Sequence, residues 1–431
     1  MRKEWRELTS SRAWWVFLFL MGPLVGVSFI SAVRTYAEAS GLGGTSAGVG
    51  EAFSPLVGIW APTFSACEIA AAFLLPFVAI RLVSGDRQSG ALKLELQHPM
   101  SAVARMTAKA LVLFAGWLLA LGAVAVAVAL WLSYGGGVYW PELATVLLGH
   151  VLNAGLTIAL GAAAAALAEH PSTAAILTLA VTVGTWIMGF IAAVHGGFWE
   201  RAVDYTPTAM VAQFQHGLVR LDVVLIALTL ILAGLALGGI WMRLGIAVQR
   251  RVYESLALGT LTVAMVLVCR LARASWDMSE NRMNSFSKAD EETLRTIHQP
   301  LRIEAHLAPE DPRRTDLEHR VFSKLRRALP KLEIQYASAT SIGLFEQTNP
   351  HYGEIWYRLD GHSRMSRATN EEAVLETIYE LAGLQPPEED AEDVFRGHPL
   401  AVPPKGAALV FYLAWPSVVA ALGLTNRWRT S

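Results

Sequence analysis

With 431 residues, 53% of them hydrophobic and only 16% charged, the chain falls short of the roughly 25% charge typical of soluble domains, which excludes an ordinary water-soluble fold. The net charge of −1 conceals a split: 23 of the 36 acidic residues lie in 271–403, leaving 13 for residues 1–270. A membrane part is joined to a water-soluble part.

The N-terminal MRKEWRELTSSRAWW has no signal-peptide pattern, because the apolar run after it is long enough to span and no small-residue cleavage site follows. About 20 apolar residues cross a bilayer as a helix. Spans are predicted at 13–33, 56–80, 108–132, 143–168, 174–194, 222–242, 251–270 and 405–424. Pro171, after Glu169 and His170, marks the break between the fourth and fifth. Cys67 and Cys269 lie in apolar blocks and form no disulfide or metal pattern. With the N-terminus inside, the cytoplasmic pieces carry Arg2, Lys3, Arg6, Arg12, Arg81, Arg87, Lys93, Arg105, Lys109, Arg243, Arg250, Arg251, Arg427 and Arg429. The short outside loops carry only Arg34, Arg201 and Arg220. That bias places both termini in the cytoplasm and 271–404 outside.

The outside segment reads as a small α/β unit. LRIEAHL (301–307), KLEIQYA (331–337) and YGEIWYRL (352–359) are predicted strands, the first two by their alternation of apolar and polar residues. Helices are predicted at 314–329, from the four-residue spacing of Leu317, Val321, Leu325 and Leu329, and at 370–383, opened by TNEEA. The acidic, proline-bearing QPPEEDAED leads back to the last span. The expected fold is thus a polytopic α-helical membrane protein of about eight transmembrane helices, with a small extracytoplasmic α/β domain between the last two.

One polar interruption stands out: RLVSGDRQSGALKLELQHPMSAVARMTAKAL, residues 81–111. Gly85 and Gly90 loosen the backbone, Ala91–Gln97 can form a short helix, Pro99 ends it, and Ser101 can cap the next helix. The expected result is a helical elbow facing the cytoplasm. Asp86-Arg87, Ser89-Gly90, Leu92, Leu94, Pro99 and Lys109 resemble the cytoplasmic segment after the second helix of type 2 ABC exporter permeases. Ala91 stands where that family commonly has Thr, and Lys93 where it has an acid. The N-terminal stretch resembles the family's interfacial helix. Phe214, Gly217 and Asp222 resemble the approach to the sixth span in the gliding-motility and copper-enzyme-maturation type of permease. From Asp277, Glu280, Asn281, Arg282, Phe286, Ser287, Thr293 and Leu294 onward, the chain is similar to the extracytoplasmic domain of the gliding-motility-type auxiliary subunit, in shortened form.

The resemblance implies a six-helix permease domain over 1–245, a seventh transmembrane helix at 246–270, an auxiliary-subunit-like α/β domain at 271–403, and an eighth helix with a cytoplasmic tail at 404–431. It implies an exporter permease in a bacterial inner membrane, surrounded by lipid and working as a homodimer or heterodimer. A separate cytoplasmic ATPase would dock on Asp86, Arg87, Gly90, Leu92, Leu94, Glu95 and Pro99. The chain lacks a G-x-x-x-x-G-K-[ST] loop, so ATP belongs to that partner and no cofactor is expected on this chain. No nucleic-acid partner is expected. GTSAG (44–48) matches G-x-S-x-G but lies in a glycine-rich loop, without the strand and helix of a nucleophile elbow. The histidines show no metal spacing, so no enzyme is expected. Glu68, near the middle of the second span, is a candidate intramembrane polar site, since such carboxylates usually face a cavity or a partner. An alternative function is a non-transporting scaffold that couples ATP hydrolysis to extracytoplasmic or cell-surface machinery.

Overall fold

The computed structural model describes residues 1–41, 53–88, 100–195, 198–243, 245–308, 311–329, 331–337, 351–387 and 395–430. The protein is a polytopic helical membrane protein. Among the described residues, eight helices are long and apolar enough to cross a bilayer. They run Arg12–Gly41, Leu56–Asp86, Ala102–Ser133, Trp140–Leu167, Pro171–Ala192, Leu221–Trp241, Val248–Cys269 and Ala407–Asn426, here the first to eighth spans. They match the eight apolar runs of the sequence, with ends extended where polar residues continue the helix. A short helix α1 (Arg2–Ser10) precedes them, and α2 (Pro207–Gln215) lies between the fifth and sixth. Residues 1–186, 205–278 and 396–431 form one compact unit, and 187–204 with 279–395 a second.

In the first unit, boundaries follow local chemistry. Ser101 accepts the Ala104 amide at 3.1 Å, capping the third span as its sequence suggests. Pro171 opens the fifth. The fourth span carries the alanine run 162–166, all buried, so its neighbours approach closely. The first span bears a notch. A Cβ at Gly22 would lie 2.2 Å from the Trp415 indole, and one at Gly26 2.4 Å from Phe411. The eighth span therefore seats two aromatic side chains where only glycine leaves room. Trp415 Nε1 also donates to the Leu18 carbonyl at 2.8 Å, in the turn where Pro23 breaks the helical bonding.

The span ends gather into two sets. At one end, Tyr36, Trp60 and Trp131 pack edge to face, with centroids 5.6 and 6.4 Å apart. The Tyr36 hydroxyl lies 2.6 Å from both the Phe53 and His398 carbonyl oxygens. β1 (Leu218–Arg220) pairs antiparallel with β2 (Ser275–Asp277), before the sixth span and after the seventh. At the opposite end lie α1, the close of the second span and the start of the third. Spans of alternating direction require this sorting, and the described contacts obey it.

The second unit is the α/β domain. It contains α3 (Lys288–Arg295), β3 (Leu301–Ala305), α4 (Pro312–Leu317), α5 (Ser323–Ala328), β4 (Leu332–Tyr336), β5 (Ile355–Leu359), β6 (His362–Ser366) and α6 (Glu371–Ala382). A widened turn at Glu318–Phe322 joins α4 to α5. The sheet order is β4-β3-β5-β6. β3 and β4 run parallel, with Leu301 opposite Leu332, so helices α4 and α5 form the crossover between them. β5 lies antiparallel to β3, and β6 to β5. Leu301, Ile303 and Ala305 alternate inward against Leu317, Val321, Leu325, Val374 and Ile378. The predicted strands appear shortened by two or three residues. Asn370 stands at the N-cap of α6, but its side chain makes no capping bond. β6 is absent from the sequence reading: its residues are nearly all exposed, so no alternation marks it. Its turn does mark it. Asp360 and Gly361 hold φ of 48° and 80°, as a two-residue hairpin turn requires.

The glycine notch predicts a non-additive pair. Gly22→Leu overpacks the contact and should cost about 1–3 kcal/mol, read as a lower unfolding temperature of the detergent-solubilised protein. Trp415→Ala should then cost less in that background than alone. Full additivity would show that the notch does not seat the indole.

Candidate functional site

Helix α1 buries one face. Leu8 is 1% exposed and would be 2.9 Å from a Cβ at Gly116 on the third span. Its C-terminal end is pinned twice, since the Thr9 carbonyl accepts from Trp15 Nε1 at 2.6 Å and from Asn426 Nδ2 at 3.0 Å. Glu4 and Glu7, three apart, fall near one another on this helix.

Lys109, on the third span, is 1% exposed, and its ammonium sits among groups from α1 and the second span. Nζ donates to Glu4 Oε2 at 2.7 Å, to the Asp86 carboxylate in close contact, and to the Leu82 carbonyl at 3.4 Å. An ammonium has three donors, and these are three acceptors. Glu7 stands 3.9 Å away. Lys3 bridges Asp86 and Glu7, each at 3.2 Å. Burying an unpaired charge is prohibitive, whereas burying one with its hydrogen bonds met is tolerable. So Lys109 ties α1, the end of the second span and the start of the third into one joint. The carboxylates of Glu4, Glu7 and Asp86 lie within 4.8 Å of one another, a spacing that suits a cation; the Lys109 ammonium already fills that role. Burial, then repulsion from Asp86, holds the Glu7 carboxyl above its ordinary range.

Among the sequence-predicted site residues, Asp86 is at the centre of this joint. Arg87 lies in the last turn of the helix Leu75–Gln88. Gly90, Leu92, Leu94, Glu95 and Pro99 lie outside the described residues. The joint therefore flanks the predicted docking segment on both sides. Glu68 is half-buried on the second span, beside exposed Ile69 and buried Cys67, with no ion pair among the described residues. It sits apart from the charge joint, at the margin of the buried face.

Sequence reasoning passed over Lys3, Glu4 and Glu7. The available signal was the pairing of acids and a base on one turn of a helix with a buried Leu. It also passed over His150, buried in the fourth span, whose ring stacks on Phe64 at 5.1 Å and whose Nε2 is 3.3 Å from Gln215 Nε2. Phe214, Gly217 and Asp222 have structural roles. Phe214 fills the space beside Gly149, where a Cβ would meet it at 2.5 Å. The Gly217 carbonyl accepts the Met278 amide at 2.8 Å. Asp222 takes a two-point grip from Arg220, at 3.2 and 2.6 Å.

Residues 1–203 match the model of a family described as ABC-2 family transporter protein. The match spans α1, the first five spans and all five side chains of the joint. It supports a membrane permease component of an ABC transporter, a family whose permeases pair with an ATP-binding subunit. No curated protein and no solved structure matches the chain.

The joint predicts a strong coupling. Lys109→Met leaves buried carboxylates uncompensated and should cost about 3–5 kcal/mol, seen as a large drop in unfolding temperature in detergent. Adding Asp86→Leu should restore part of it, because an apolar pair replaces a broken ionic one. If the double variant is as unstable as the sum of the singles, the pair does not hold the joint.

Proposed function

We propose that the chain is the membrane-spanning permease subunit of an ABC exporter, driven by a separate cytoplasmic ATPase that docks on residues 86–99. The single observation that carries this reading is the buried Lys109 joint. It grips both ends of the docking segment and α1 together, so a push on the segment is delivered to three elements at once. The two spans then move as a pair between discrete packings, which is how packed helices switch. A permease of this family is a transporter component and not itself catalytic, which fits the lack of a phosphate-cradling loop.

In this reading the α/β unit, residues 271–403, lies outside and docks substrate or partner, both termini are cytoplasmic, and two permeases assemble in a bacterial inner membrane. The gliding-motility type and the auxiliary-subunit origin of the α/β unit rest on the resemblance of their residues, since the family match ends at residue 203. Glu68 would line the transport path.

Two experiments test the proposal. Leu92→Asp with Leu94→Asp, and separately Arg87→Glu, should insert normally yet copurify about tenfold less ATPase subunit, since a few anchors dominate an interface. Undiminished association would remove the docking role. A cysteine at Ser341 should react with an impermeant thiol reagent on intact spheroplasts. Labelling only after permeabilisation would reverse the topology.

A further inference from the structure

Beside the charge joint lies a cleft of about 720 Å³, walled by α1, the end of the second span and the start of the fifth. These are the segments that the alternation of spans brings to one end of the bundle, so the cleft opens where a bilayer's headgroups meet its acyl chains. Its lining is two-sided. Phe77, 47% exposed, and Ala175 present apolar surface. Glu7, Arg81, the Lys109-bound Asp86 and four serines present polar groups.

The charges there are unusual. Arg81 is exposed and has no ion-pair partner among the described residues, although Glu7 lines the same cleft. The two are not within ion-pairing distance of each other. Among the described residues, Glu7 meanwhile pairs with a half-exposed Lys3 and has a 3.9 Å approach to Lys109. A cleft with a free guanidinium, a carboxylate whose cations are exposed or distant, four serine hydroxyls and an apolar wall calls for a zwitterion with a hydrocarbon tail. Guanidinium prefers phosphate, which it can grip at two points. A carboxylate prefers an ammonium that still bears N–H donors, since a quaternary one offers charge alone.

We propose that this cleft binds a phospholipid whose headgroup carries a phosphate and a primary ammonium, the phosphate on Arg81 and the ammonium on Glu7, with the acyl chain along Phe77. The lipid would wedge α1 against the second and fifth spans, adding a cation beside Glu7 to the exposed Lys3 and the more distant Lys109. This site stands independently of ATPase docking, because none of its contacts uses residues 87–99.

Native mass spectrometry of the full chain, extracted from nanodiscs of equal phosphatidylethanolamine, phosphatidylcholine and phosphatidylglycerol, tests it. The wild-type protein should retain phosphatidylethanolamine about tenfold over phosphatidylcholine, as expected for one added charge-assisted hydrogen bond. Arg81→Gln should abolish that retention, and Arg81→Lys should keep most of it. Glu7→Gln should bring the ratio of ethanolamine to choline lipid close to unity. An unchanged unfolding temperature for Arg81→Gln checks that the fold survives. Equal retention of the three lipids, unaltered retention by Arg81→Gln, or an unshifted ratio in Glu7→Gln would overturn the proposal. So would displacement of the lipid by soluble O-phosphoethanolamine, since a pocket for the headgroup alone needs no membrane.

Discussion

A single ammonium buried among carboxylates organises one end of this bundle. Removing Lys109 from water is unfavourable unless each of its protons finds an acceptor, and the acceptors come from α1 and from the second span. Geometry follows from that demand. Helix α1 must lie where Glu4 can reach Lys109, the second span must stay helical through Asp86, and the third must begin early enough to present Lys109. Apolar packing alone would let these helices slide and rotate; directional bonds to one charged atom set their register. Elsewhere the bundle relies on close approach of small residues, as along the alanine run of the fourth span.

The membrane part was legible because hydropathy is a one-dimensional signal: twenty apolar residues in a row need no partner to be recognised. The charge joint was legible only in half. Asp86 and Lys109 stand out in the polar interruption between two spans and through the resemblance they carry. Glu4 does not, because it meets Lys109 across 105 positions of sequence, and nothing local says which of several N-terminal acids turns inward. In the α/β unit, β3 and β4 were readable from their alternation of apolar and polar residues, and β5 as a third apolar run whose inward residues the structure buries. β6 faces solvent along nearly its whole length, leaving only the Asp-Gly turn to betray it. His150 and Gln215 illustrate the other difficulty. Each is an isolated polar residue in sequence, and only the packing of α2 against the fourth span makes them neighbours.

The α/β unit and the bundle obey different solvents. In the sheet, ion pairs such as Arg302 with Glu333 at 2.9 Å sit on exposed edges, where water screens them and they contribute little. At the Lys109 joint an ammonium pairs with carboxylates out of water's reach, and its loss is correspondingly severe. Charge density therefore misleads as a guide to importance here: the acid-rich segment holds many weak pairs, while the acid-poor membrane part concentrates its consequence in a few.

The glycine notch of the first span bears on how the molecule is made. Its occupant, Trp415, bonds to a carbonyl 397 residues earlier. The first span precedes the eighth by the whole length of the other spans and the α/β unit, so Gly22 and Gly26 meet their aromatic partners only once the intervening chain has been made. Trp415 and Phe411 then close over the first span as a clasp, joining parts of the chain that local folding cannot bring together.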